Sequence, residues 1–294
     1  MRLVLAQDGS AGAATARQLL GTLPWPAPTT VRAVRIIEPI YDVFGLPAVD
    51  LGPSESVVPA FDEVRAELAE EVAGLARDGL LVEADVIVGR PASVILDAAR
   101  NDGADAIVMG SRGRGPIAAM VLGSVSAEVT GHAPCPVIVG RRPTMGRVMV
   151  ALDGSDMSDR VVQAVIGLRC FAGQRLEVVA VAPSPVPGPG VMLAGGYGMP
   201  VAWFEEGVEA AREAMAATAT AAAATLGAAG FDVSWSVPLG DPAATLVDHA
   251  ATSHADAIVV GTHGRTGIDR LLMGSVARNV LIHAHTTVVV VPRG

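Results

Sequence analysis

Lysine is absent from this chain of 294 residues; all 21 basic side chains are arginine. That absence excludes a Walker-type phosphate lysine, a Schiff-base lysine and a lysine general base, and several enzyme classes with them. An excess of positive charge is lacking too. The formal net charge is −9 and the pI about 5.1, which speaks against nucleic acid or an anionic membrane surface as a partner. Aromatic residues make up only 3% of the chain, so alanine, valine and leucine must fill the interior. The two cysteines, Cys135 and Cys170, stand at unrelated places, and read as buried, reduced thiols of a cytoplasmic protein rather than a disulfide or metal site. Mean hydropathy is high at +0.46, yet no stretch reads as a membrane span. The longest apolar run, Ala214 to Ala229, is alanine and threonine and suits a packed helix. Met1 to Gln7 is too short and too uncharged for a signal peptide. His283 and His285 have no further ligands nearby, so no metal site is predicted.

What the chain does contain is a repeat. Gly110-Ser-Arg-Gly113, nine residues, then Gly123-Ser124 recurs 151 positions later as Gly261-Thr-His-Gly264, nine residues, then Gly274-Ser275. Two units of about 145 residues follow, near the usual domain size. They are assigned to residues 1–142 and 146–294, joined by a short linker from Arg141 to Gly146. In the first unit, apolar runs at Leu3–Ala6, Val31–Ile37, Leu81–Val88, Asp105–Met109 and Pro136–Val139 predict strands. Helices are predicted over Gly12–Leu20 with Ser10 as N-cap, over Val57–Arg77, from Pro91 to Asn101, and after Ser124. The second unit repeats that order, with strands at Val148–Leu152, Leu176–Val181, Val233–Val237, Asp256–Val260 and Thr287–Val291. Its helices are predicted over Glu205–Ala229 and Pro242–Thr252. Asp8 pairs with Asp153 at an offset of 145 rather than 151, which puts six extra residues in the proline-punctuated stretch Pro183 to Trp203. Near-continuous apolar strands alternating with helices predict parallel sheets covered on both faces, wound doubly. Ligands of such sheets bind beyond the carboxyl ends of the strands. Asp8, Gly110, Asp153 and Gly261 all fall there.

The glycine loops carry the first candidate chemistry. Gly110 and Gly113 tolerate positive φ, and a missing Cβ lets backbone amides approach an anion. Gly123-Ser124 and Gly274-Ser275 open a helix, whose free N–H groups and positive dipole end favour phosphate, with the serine hydroxyl as cap or donor. Arg114 and Arg265 supply the charge that lysine would otherwise give. The same glycines also suit plain strand-to-helix turns. Asp8 and Asp153 could accept from a ribose hydroxyl or hold a phosphate-bound metal; an Asx-turn at Asp-Gly-Ser is the alternative. Gly89-Arg-Pro-Ala92 and Gly240-Asp-Pro-Ala243 read as turns entering proline-initiated helices.

Together these residues resemble the universal stress protein family in its tandem form. Asp-Gly-Ser after strand one, Gly-x-Pro-Ala before the third helix, and Gly-x2-Gly-x9-Gly-Ser occur in both halves. The resemblance covers nearly the whole chain. It implies an α/β fold of two doubly wound domains, each a five-stranded parallel sheet of order 3-2-1-4-5, paired through the fifth strands. It also implies one ATP per domain, with Mg²⁺. Asp8 and Asp153 would then meet the ribose or adenine, and the backbone near Ile37 and Ala182 would face the adenine. Gly110, Gly113, Arg114, Gly123, Ser124 and Val125 would hold the triphosphate in the first half. Gly261, Gly264, Arg265, Gly274, Ser275 and Val276 would do so in the second. Two departures stand out: Ala13 replaces the serine found at Ser158, and His285-Thr286-Thr287 stands where the first half has Pro134-Cys135-Pro136.

The expected function is a cytoplasmic, nucleotide-dependent regulator of the stress response that is not an enzyme and acts on a regulatory protein partner, with a homodimer of the tandem chain by analogy. A slow ATPase or phosphotransferase is the alternative, weakened by the lack of a lysine and of an evident general base. A partner-binding module with vestigial loops is the third.

Overall fold

The computed structural model describes residues 1–38, 57–113, 122–183, 201–264 and 273–293. Most of the stretch Pro183 to Trp203, with Arg114 and Arg265, lies outside them. The first half runs β1 (Arg2–Ala6), α1 (Ala11–Thr22), β2 (Thr29–Ile37), α2 (Val57–Ala73), β3 (Leu80–Val88), α3 (Pro91–Asp102), β4 (Ala106–Gly110), α4 (Ser124–His132) and β5 (Val137–Gly140). The second half continues with β6 (Arg147–Leu152), α5 (Asp156–Leu168), β7 (Arg175–Ala180) and β8 (Ala182–Pro183). Next come α6 (Val201–Ala228), β9 (Asp232–Ser236), β10 (Leu239–Gly240) and α7 (Pro242–Thr252). It closes with β11 (Ala257–Gly261), α8 (Ser275–His283) and β12 (Thr287–Val291).

One ten-stranded sheet joins the halves, in the order β3-β2-β1-β4-β5-β12-β11-β6-β7-β9. Each half has the 3-2-1-4-5 order, and every pairing within a half is parallel. The seam is antiparallel: Val137, Ile138 and Val139 face Val290, Val289 and Val288. Neither fifth strand is an open edge, which removes the pairing hazard of an exposed apolar strand. Thr287, which stands where the first half has Pro136, ties this seam, and Thr286, in the place of Cys135, binds within its own half. Thr287 Oγ1 accepts from the backbone N–H groups of Arg141 (3.2 Å) and Arg142 (3.4 Å), and Thr286 Oγ1 donates to the Ala255 carbonyl (3.0 Å).

Two apolar layers cover the sheet, one under α1, α2, α5 and α6, the other under α3, α4, α7 and α8, and each passes through both halves. The alanine-rich α6 packs by a stripe at helical spacing: Met215, Ala219, Ala222 and Leu226 are buried. Among the described residues no helix is long and apolar enough to cross a membrane. Both cysteines are buried and unpaired, and burial together with Asp105 pushes the Cys135 thiol up to about 12.

Three boundaries differ from the sequence reading for identifiable reasons. Helix α2 stops at Ala73, before Gly74, so that Arg77 can leave the helix and donate to the carbonyls of Gly21 and Leu23. Asp105 and Asp256 precede their strands rather than opening them: Asp105 accepts from Arg2 N (2.7 Å), and Asp256 from Gly146 N (2.9 Å) and Arg147 N (3.0 Å). In the second half the strand-two ladder is interrupted. Pro238 has no N–H to give, so β7–β9 and β8–β10 form separate ladders in the same register on either side of it.

Candidate functional site

At the carboxyl end of β1, Asp8 Oδ1 accepts from Ser10 N (2.9 Å) across Gly9, whose φ of 74° is left-handed. That is an Asx-turn, yet only one carboxylate oxygen is used for it. The other faces the glycine loop: a Cβ on Gly113 would lie 2.6 Å from Asp8 Oδ2. Ser10 caps α1 by accepting from Ala13 N (3.2 Å) and donates to the Arg112 carbonyl (3.2 Å), tying the β1 turn to the loop after β4. Gly110 is equally tight, since a Cβ there would sit 2.5 Å from the Gly12 carbonyl carbon and 2.7 Å from Ala13 N. None of Gly110, Gly113, Gly261 and Gly264 has positive φ. These glycines are required for close approach, and the conformational freedom expected of them is not used.

The loop closes where Gly123 N donates to the Ser111 carbonyl (2.8 Å), and Gly274 N to Thr262 O (2.6 Å) in the copy. Gly123 and Gly274 are themselves the N-caps, so Ser124 and Ser275 stand one place inside their helices and their hydroxyls do not cap. The first-turn N–H groups that lack intrahelical partners therefore belong to Ser124, Val125 and Ser126, and to Ser275, Val276 and Ala277. Ser126 Oγ donates to the Gly110 carbonyl (2.9 Å) and pins α4 to β4.

These elements border an open crevice of about 1710 Å³. The structure brings Asp8, Ile37, Gly110 and Gly113 together on its wall, with Gly123, Ser124 and Val125. Among the lining residues that pattern alone did not single out are Gln7, Arg35, Arg141 and Arg278. Gln7 is 2% exposed; its Nε2 donates to the Ala6 and Ala13 carbonyls, while the buried Oε1 has no partner. Flipping the amide would set Oε1 against two carbonyls, so the acceptor stays orphaned in the absence of a ligand or water. Arg35 is held by Glu71 (2.7 Å) and Glu67 (3.6 Å). Arg141 donates to Thr286 O (3.3 Å) and Leu281 O of the other half, and burial, with repulsion from Arg112, brings its guanidinium down to about 10. The signal that would have found them is asymmetry between the copies. Gln7, Arg35, Arg141 and Arg278 correspond to Leu152, Ala180, Pro292 and Ala127.

The second half keeps the turn and narrows the space. Asp153 Oδ1 accepts from Ser155 N (3.0 Å) and Ser155 Oγ (2.6 Å), and Oδ2 faces Gly264, where a Cβ would come within 2.6 Å. Ser158 Oγ accepts from the N–H groups of Asp153 (3.2 Å) and Gly154 (3.0 Å), a role Ala13 cannot fill. Met157 packs on Gly261 where the first half has Gly12, and the crevice measures about 480 Å³. Gly264 and His263 line it. Gly261, Gly274, Ser275 and Val276 stand at the end of β11 and the start of α8 without lining it. Ala182 is buried, and its N–H is spent on the Pro238 carbonyl (2.9 Å).

A nucleoside phosphate fits the first crevice in kind: an orphaned acceptor and a free carboxylate oxygen at the β1–β2 end, Cβ-free backbone and helix N–H groups at the β4 end. Among the described residues no three His, Cys, Asp or Glu side chains gather as a metal site.

Comparison with known proteins agrees with this architecture. The model of the universal stress protein family matches residues 1–141 and again 145–292. A universal stress protein of Thermus aquaticus is 36% identical over 139 residues, covering 47% of this chain and 97% of its own length. Universal stress protein Rv2005c of Mycobacterium tuberculosis is 31% identical over 244 residues, covering 77% of this chain and 74% of its own. Among solved structures, a universal stress protein of Archaeoglobus fulgidus superposes with a TM-score of 0.66 at 21% identity, over 100% of this chain and 98% of that one. The chain belongs to the universal stress protein family, with two copies of the family's domain in tandem.

Proposed function

We propose that each half binds ATP beyond the carboxyl ends of its strands and that the chain acts as a nucleotide-dependent regulator, with no chemical step of its own. Family membership supports a role in stress response. The observation that carries the nucleotide reading is the close approach of Gly113 to Asp8 Oδ2, duplicated at Gly264 and Asp153: in both halves a Cβ on the loop glycine would come within 2.6 Å of the strand-one carboxylate. Ribose hydroxyls suit that oxygen, and the N–H groups of Ser124, Val125, Ser275 and Val276 suit phosphate. Mg²⁺ would travel with the phosphates, since among the described residues no carboxylate lines the β4 end of the first crevice. The reading includes a cytoplasmic location, a regulatory protein partner and a homodimer of the full chain. The exposed Leu81, Val88 and Trp235 on the outer strands β3 and β9 are where further association would bear.

The test is direct. Freshly purified protein is denatured and its supernatant chromatographed for nucleotide, and ATP is titrated calorimetrically into wild type and into Gly113→Val/Gly264→Val. The expected outcome is co-purified ATP, or wild-type binding that the double variant loses, without sustained phosphate release. Multiple-turnover phosphate release that the same variant abolishes would mark an ATPase instead; no binding by wild type would leave a partner-binding module.

A further inference from the structure

The carboxyl ends of β2, β1, β4 and β5 lie side by side, and β5 is followed by β12 of the other half. At ~4.8 Å per strand, the step from Ile37 on β2 to the end of β5 is about 14 Å. The character of the crevice changes along that line. Glu38, Glu67 and Asp8 line its β2–β1 end; Arg112, Arg141 and Arg278 line its β4–β5 end. Register places Gly140 beside Gly110, so Arg141 follows the last paired residue of β5 just as Ser111 follows that of β4. Arg141 is fixed by two second-half carbonyls, those of Thr286 and Leu281. Arg278 precedes Leu281 by three residues on α8, on the same side of the helix. Among the described residues none of these three arginines is paired with a carboxylate. Arg112 and Arg141 stand close enough to repel. Three cations converge on the β4–β5 end of the crevice with no carboxylate among the described residues paired to them, and the half-buried Arg141 guanidinium has only carbonyls for partners, a setting that suits a polyanion.

The copy does not reproduce the arrangement. Arg112, Arg141 and Arg278 correspond to His263, Pro292 and Ala127. The second crevice has Arg160 and Arg293 of its own half, and among the described residues no first-half residue lines it. We infer that the first half's crevice holds the terminal phosphates of a nucleoside triphosphate among Arg112, Arg141 and Arg278, so that Arg278 of the second half completes the first half's site and makes it select triphosphate over monophosphate. The inference rests on the nucleotide reading above. The ligand runs from the orphaned Gln7 Oε1 and Asp8, past the glycine loop, to the seam between halves. Occupancy of this site then bears on the seam itself, through the Arg141 hydrogen bonds to Thr286 and Leu281.

The experiment uses the full chain carrying Gly264→Val, which leaves the first-half site to be read alone. ATP, AMP and inorganic tripolyphosphate are titrated into this parent and into Arg112→Ala, Arg278→Ala and Arg278→Lys. Loss of one charge-assisted contact is expected to weaken ATP roughly tenfold in either alanine variant. AMP affinity stays within about twofold, and Arg278→Lys recovers part of the loss. Arg278 is exposed on α8, so unchanged melting of Arg278→Ala separates a binding effect from a folding one. Equal weakening of ATP and AMP, or undiminished ATP binding by Arg278→Ala, overturns the inference. If the parent takes tripolyphosphate through Arg278 but no nucleotide, the anion site stands and the nucleotide reading falls. If it takes neither, both fall.

Discussion

A single side chain decides how each Asp-Gly-Ser turn is held. In the second half Ser158, 7% exposed, accepts two backbone N–H groups with one oxygen and also lies 3.3 Å from Asp153 Oδ1. In the first half that position is Ala13, and the nearest substitute is Gln7 Nε2 bound to the Ala13 carbonyl (3.0 Å). Ser158→Ala would strip the Asp153 and Gly154 N–H groups of their acceptor, which costs about 0.5–1.5 kcal/mol for part-buried bonds and loosens the Asp153 carboxylate. Ala13→Ser in the first half removes no hydrogen bond, and the added hydroxyl faces the N–H groups of Asp8 and Gly9 as Ser158 faces those of Asp153 and Gly154, so it should cost less than Ser158→Ala. Urea unfolding of the two variants checks the asymmetry; equal effects would mean that Ser158 does not hold the turn. The glycines give a related lesson at the same scale. Their positions were legible in the sequence, but the reason for them was not, because a close approach between residues 8 and 113 is a property of the fold rather than of either loop.

At the scale of elements, much could be read from pattern alone. Strands such as Thr287–Val291 and helices such as Pro242–Thr252 are marked by apolar runs, a proline at the first turn and a Gly-x-Pro-Ala signal, and they form where those signals place them. What could not be read were features that depend on a distant partner. Pro238 breaks a ladder only because Val181 lies opposite, and Arg77 leaves α2 only because the carbonyls of Gly21 and Leu23 need a donor. The β5–β12 seam entered only through family resemblance. Three paired residues per strand make it, and Ile138 and Val289 at its centre are both 0% exposed. Val289→Asp would bury an unpaired carboxylate in the seam and should cost at least about 3 kcal/mol. Since both apolar layers cross the seam, wild type should unfold in a single calorimetric transition. Val289→Asp should split it into two or lower it as a whole, and an unchanged thermogram would show that the halves do not depend on one another.

The molecule as a whole is a duplication in which one copy kept polar groups that the other replaced. Under β1 and β2 of the first half, Arg17 pairs with Glu71 (3.0 Å), Glu71 with Arg35 (2.7 Å), and Arg35 Nε donates to the Gln7 carbonyl (3.4 Å). The equivalent residues of the second half are Val162, Ala222, Ala180 and Leu152, all buried and apolar. The same backbone thus accepts either solution, and the physics of buried ions says which is the more stable. Desolvating Arg35, whose side chain is 8% exposed, is offset mainly by Glu71. Glu71→Ala leaves that charge with the longer Glu67 contact alone and should destabilise by about 3 kcal/mol. Replacing the set by the second half's residues, Gln7→Leu, Arg17→Val, Arg35→Ala and Glu71→Ala together, should return most of that loss or exceed wild type. Gln7 and Arg35 face the larger crevice, so the fourfold variant should also weaken whatever the first half binds while leaving the second half untouched. A stability gain with binding at the first site reduced would show that the polar set is kept for the ligand. A fourfold variant as unstable as Glu71→Ala alone would show instead that the network is structural, and that the second half's apolar packing depends on neighbours the first half does not have.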